Sequence, residues 1–66
     1  MPSSVIKHMR YSEETRHLHI TFQSGARYRY SQVPPAVYFG LRSARSKGRY
    51  FNQQIAGIYP FKRLSD

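Results

Sequence analysis

The run Ala26-Arg27-Tyr28-Arg29-Tyr30, followed closely by Val33-Pro34-Pro35, leaves this chain few ways to fold. Successive side chains of an extended strand point to opposite faces, so Ala26, Tyr28 and Tyr30 share one side while Arg27 and Arg29 share the other. One side is apolar and the other cationic. Proline has no amide proton to give a sheet ladder, yet its fixed φ suits the first turn of a helix. The strand must therefore end before Pro34, and a helix begins at Pro35. The chain is committed to a sheet with one wet face, joined directly to a helix.

Upstream, the same reading yields two more strands. From Val5 to Tyr11 the inward positions are Met9 and Tyr11, with Ile6, His8 and Arg10 on the other parity. Ile6 breaks the alternation, which marks a bulge or an edge position. Ser12 to Thr15 supplies a turn. Arg16 to Phe22 then places Leu18, Ile20 and Phe22 inward and His17, His19 and Thr21 outward, and Gln23-Ser24-Gly25 closes a second hairpin. Downstream of the prolines, Val37, Leu41 and Ala44 recur at helical spacing with Tyr38 on the flank, and Phe39 falls almost opposite that stripe. Ser46 fits the N-cap of a second helix, on which Phe51, Ile55 and Ile58 recur at the same spacing and Gly57 closes the C-terminus.

The expected fold is α+β: a three-stranded antiparallel meander followed by two short helices packed on one face, βββαα. Its core is Leu18, Ile20, Phe22, Tyr28, Tyr30, Val37, Leu41, Phe51 and Ile55. Residues 1–3 read as a disordered N-terminus, 4–59 as one domain, and 60–66 as a basic tail without periodicity.

Size sets the energetic margin. A chain of 66 residues buries only about 60% of the surface its unfolded form exposes. Most of the six Tyr and four Phe rings are therefore needed inside. No cysteine is present, so neither a disulfide nor a thiolate metal site braces the fold, and a reducing cytoplasm is the expected setting. No apolar run approaches the roughly 20 residues of a membrane span.

Charge points to the partner. Eleven Lys and Arg stand against three Asp and Glu, a formal net charge of +8. Such a surplus favours polyanions, and the preponderance of Arg over Lys suits bidentate phosphate contacts. Glu13 and Glu14 lie in a turn and Asp66 is terminal, so no buried acid–base pair or activated nucleophile can be assembled. The expectation is no enzyme and no cofactor. His17 and His19 share a strand face, but no carboxylate or thiolate completes a metal set, so no metal is expected.

Two constellations carry the binding argument. Arg27 and Arg29, beside His17 and His19, form a flat basic sheet face whose guanidinium groups contact phosphates or stack on bases. The plain alternative is a solvated face. The second constellation is Arg42, Arg45, Ser46, Lys47, Gly48 and Arg49 at the helix junction. If Ser46 caps the second helix, free amides and cations converge there, and Gly48 lets a phosphate approach the backbone. The alternative is that Ser46 is only a cap and Gly48 answers a tight turn. Tyr50 would lie over that junction as a stacking or partner contact. Phe39 would either anchor a partner beside Arg42 or fold under residues Phe61 to Leu64.

The series Ile6, Tyr11, Leu18, Phe22, Gly25, Tyr28-Arg29-Tyr30, Val33-Pro34, Tyr38, Leu41, Ala44, Ser46-Lys47-Gly48, Tyr50-Phe51-Asn52, Ile55 and Tyr59 resembles the KTSC domain. That family occurs at the C-terminus of some lysyl-tRNA synthetases and as stand-alone small bacterial and phage proteins. The resemblance spans Ser4 to Tyr59 and implies no catalytic residues. Its synthetase context implies RNA, with tRNA favoured, as the polyanion. Phe39 departs from the family, where that position is more often polar. The resulting expectation is a monomeric, cytoplasmic RNA- or nucleic-acid-binding module with no membrane association. The rival is an adaptor for an acidic protein partner, of the kind a phage inhibitor of a host protein would be.

Overall fold

A computed structural model describes residues 6–65; the N-terminal segment 1–3, expected to be disordered, lies outside them. Six elements follow in order: β1 (Ile6–Ser12), β2 (His17–Phe22), β3 (Arg27–Tyr30), α1 (Pro35–Ser43), α2 (Lys47–Gln54) and β4 (Phe61–Ser65). The strands form one antiparallel sheet in the order β1-β2-β3-β4. The architecture is α+β as expected, with four strands rather than three.

The segment expected to be a tail is β4. Phe61 pairs with Tyr30, Lys62 with Arg29 and Arg63 with Tyr28, and the Ser31 amide donates to the Pro60 carbonyl at 2.8 Å just before the ladder begins. Its lack of periodicity has a physical cause. On this edge strand Phe61 and Leu64, on opposite faces, are 57% and 41% exposed, so no inside–outside contrast marks the sequence.

Register decides which residues face the helices. Met9 lies opposite Ile20 and Tyr11 opposite Leu18; Leu18 in turn faces Tyr30 and Ile20 faces Tyr28. A bulge between Ile6 and His8 reverses the parity of β1, so Ile6 pairs with Phe22 and enters the core. The buried set is Ile6, Leu18, Ile20, Tyr30, Val33, Leu41, Phe51 and Ile55. Phe22, Tyr28 and Val37, expected inside, are half-buried at the rim of that core. The Phe51 ring meets Tyr30 and Phe22 edge-on, at 5.4 Å in each case, and docks α2 on the sheet.

The joint between sheet and helices is pinned at Val33, which is fully buried. Its amide donates to the Arg16 carbonyl at 3.0 Å, and its carbonyl accepts from the Tyr11 hydroxyl at 2.6 Å. The Tyr11 ring stacks on Tyr38 of α1 with centroids 4.9 Å apart. Pro35 opens α1, and the Ser46 side chain caps α2 by accepting from the Arg49 amide at 3.3 Å. The second helix stops at Gln54, earlier than its apolar spacing implies. Residues 55–58 turn instead, with Gly57 at φ 77°, and this leaves Ile58 57% exposed rather than on a helical stripe.

Candidate nucleic-acid interface

Both helices lie on the face that carries Leu18, Ile20 and Tyr30, so among the described residues no element covers the opposite face of the sheet. The same register that buries the apolar residues aligns the charged ones. Arg10 pairs with His19, His19 with Arg29, and Arg29 with Lys62, a row of four basic side chains crossing all four strands. A second row places His8 opposite Thr21 and Thr21 opposite Arg27. His17 stands next to His19 on β2, the two rings meeting edge-on at 6.4 Å. Glu13 and Glu14 lie in the β1–β2 turn, so among the described residues no carboxylate belongs to this face.

Like charges this close disturb one another. Burial holds the His19 imidazole below its ordinary pKa, and the positive groups of His17, Arg29 and Arg10 push it further down. The Arg29 Nε is buried without a hydrogen-bond partner. Across the middle of the face runs a hollow of about 420 Å3, whose lining includes His8, Arg10, His19, Thr21, Arg27 and Leu64. Chemically, the face offers donors and positive charge to a ligand rich in acceptors. It carries none of the tyrosines or phenylalanines, which occupy the helix-covered side or the helices themselves.

Arg27 and Arg29 thus stand where their alternation put them. Arg10 and Lys62 were not among the candidate residues. Arg10 carries a signal, its outward parity beside His8; Lys62 carries none, because its strand shows no inside–outside alternation.

The second constellation lies in the helical layer, with the sheet between it and Arg27 and Arg29. Arg42, Arg45 and Arg49 are exposed and Lys47 is half-buried. Gly48, expected to admit a phosphate, is instead buried, which leaves a ligand no access to its backbone. Tyr50 does not lie over the junction. Its ring packs on Gly40 of α1, where an added Cβ would collide with the Tyr50 hydroxyl and with Cζ at 2.6 Å. Phe39 is 46% exposed with the Arg42 guanidinium 5.2 Å above its ring. It does not fold under Phe61 to Leu64, because those residues are committed to β4.

No helix among the described residues is long and apolar enough to cross a membrane.

Comparison with known proteins agrees on one family. A lysine–tRNA ligase of Nostoc punctiforme is 47% identical over 62 residues, which cover 94% of this chain but 11% of the ligase. The chain thus spans about a tenth of that relative. An uncharacterised protein of Stutzerimonas stutzeri is 45% identical over 53 residues, covering 80% of this chain and 75% of that one. The crystal structure of a KTSC domain protein from Yersinia pestis superposes with a TM-score of 0.91 at 32% identity, covering 98% of this chain and 92% of the other. The model of the KTSC domain matches residues 2–59, ending just before β4, and with these likenesses in fold and sequence the chain belongs to the KTSC domain family.

Proposed function

We propose that this protein is a non-catalytic module that binds RNA, or another nucleic acid, through phosphate contacts on the uncovered sheet face. The observation that carries the reading is the row Arg10–His19–Arg29–Lys62, continuous across four strands and bordered by Arg27. Arginine forks match phosphate oxygens, and a row that crosses four strands lets successive phosphates be met by successive strands. Without Tyr or Phe rings on that face, bases would be engaged only by guanidinium or imidazole planes, so sequence preference would be weak. The relatives named as lysine–tRNA ligases support an RNA, and tRNA in particular, as the ligand. The exposed Arg42, Arg45 and Arg49 extend the positive field on the helical side and would serve as a secondary contact.

The test is a salt titration of binding. Four permanently charged side chains on the face, Arg10, Arg27, Arg29 and Lys62, correspond to a log–log slope of about −3 for a single strand. Affinity for a short single-stranded RNA would fall roughly sixtyfold between about 50 and about 200 mM salt. A slope near zero, or no binding at the lower salt, defeats the proposal.

A second reading is supported by the Phe39–Arg42 pair, an exposed ring capped by a cation. An adaptor for an acidic protein would use it as an anchor, and its affinity would depend far less on salt.

A further inference from the structure

The open face carries a row of basic groups that repel one another, and its centre is a hollow rather than a ridge. Among the described residues, the charged groups around His19 on this face are basic. Arg10 and His8 approach from β1, His17 from its own strand, Arg27 and Arg29 from β3, and Lys62 lies beyond Arg29 on β4. The helices contribute nothing, because they occupy the other face. Arg29 keeps an unpartnered buried Nε on the same row, and the hollow of about 420 Å3 opens between Arg10, His19 and Arg27.

We infer that this hollow is a site for a tetrahedral oxyanion, a phosphate, seated over His19, and that the imidazole binds a proton as the anion arrives. The inference rests on the functional reading above and adds to it a specific seat and a pH dependence. Its physics is reciprocal. The cations that now oppose a charge on His19 are the ones a phosphate neutralises, and the phosphate itself favours imidazolium. By linkage, a ligand that raises the affinity for a proton binds more tightly when protons are plentiful. Arg10 and Arg27, which line the hollow on either side of His19, would clasp the anion while His19 supplies a third donor from beneath. A backbone phosphodiester and a free phosphate share this chemistry.

The experiment follows the His19 ring resonances of the full chain through a pH titration, alone, with a single-stranded oligouridylate of about ten nucleotides, and with sulfate as a non-titrating oxyanion, at matched ionic strength. Binding of the RNA to wild type and to His19→Gln is measured alongside. Affinity of the wild type should rise between about pH 7.5 and about pH 5.5 by about tenfold more than that of the variant. The His19 midpoint should move up with RNA, and with sulfate as well if the site also takes a free oxyanion.

If RNA binds while the His19 midpoint stays put and the variant keeps the full pH dependence, the seat over His19 is wrong and the functional reading survives. If sulfate moves the midpoint but RNA does not bind, the site stands and the nucleic-acid reading falls. If neither ligand perturbs the protein at low salt, both are overturned.

Discussion

The two faces of the sheet are written by alternate residues of the same strands, yet they solve opposite problems. On the covered face, Leu18, Ile20 and Tyr30 are buried and meet Leu41, Phe51 and Ile55. On the open face, one residue away along each strand, Arg10, His19, Arg29 and Lys62 stand in a row, on the side away from the helices. One set gains free energy by leaving water. The other is held together in spite of its own repulsion by the ladder beneath it. The lesson is separability: substitutions on the open face should change what the protein binds, and substitutions on the covered face should change whether it folds.

The sharpest way to break that contrast is to truncate each face in turn. Leu18→Ala or Leu41→Ala should cost about 2–5 kcal/mol by denaturant unfolding, because both side chains are fully buried. Thr21→Ala, on the open face, should stay within about 0.5 kcal/mol. A comparable cost for Thr21 would mean that the open face is also a packing surface. Next in size is charge reversal. Arg10→Glu with Arg29→Glu should lower RNA affinity by at least tenfold at low salt and flatten the salt slope by about 1.4 or more. Arg45→Glu, in the helical layer, should do less. Equal losses would relocate the contact surface.

A smaller effect tests the joint that keeps the faces in register. Tyr11→Phe leaves the stack on Tyr38 but removes the donor to the Val33 carbonyl. A loss of about 1 kcal/mol is expected, readable as a shifted urea midpoint with an unchanged m-value.

The smallest effect is the response of stability to pH, which should differ in sign between the faces. His19 is held low by burial and by His17, Arg29 and Arg10. As pH falls below the ordinary histidine value, the unfolded chain takes up a proton that the folded chain refuses. Stability should decline until the depressed pKa is passed, and His19→Gln should remove that decline. On the covered face, burial chiefly, with Tyr28 beside it, raises the Tyr30 pKa. Its contribution is fully present below the ordinary tyrosine value and is lost as pH rises through the raised one.

What the sequence disclosed followed burial contrast. Strands β2 and β3 and the prolines at the joint were legible because inside and outside alternate cleanly there, and Ser46 was legible because its chemistry belongs to helix caps. Ile6 could be flagged only as an irregularity, since its burial depends on a bulge that re-aims one side chain. Val33 is buried through contacts with Arg16 and Tyr11, residues distant in the chain. Strand β4 left no pattern, and with it Lys62 disappeared from the candidate site. Tyr50 was misplaced because its destination is set by Gly40 on the other helix, a complementarity that helical spacing does not encode.

The position of β4 bears on the order in which the molecule assembles. The β1–β2 and β2–β3 ladders and the contact between α1 and α2 each join near neighbours in the chain. The β3–β4 ladder alone closes a loop of about thirty residues, spanning both helices. It cannot form until those helices have brought the chain back beside Tyr30, and it buries little when it does. The strand that carries Lys62 is therefore expected to be the last to dock and the first to detach, with amide hydrogens that exchange while the rest of the sheet is still closed. Each detachment would bare the backbone groups of β3 and take one cation out of the row, so the width of the basic face is itself a fluctuating quantity.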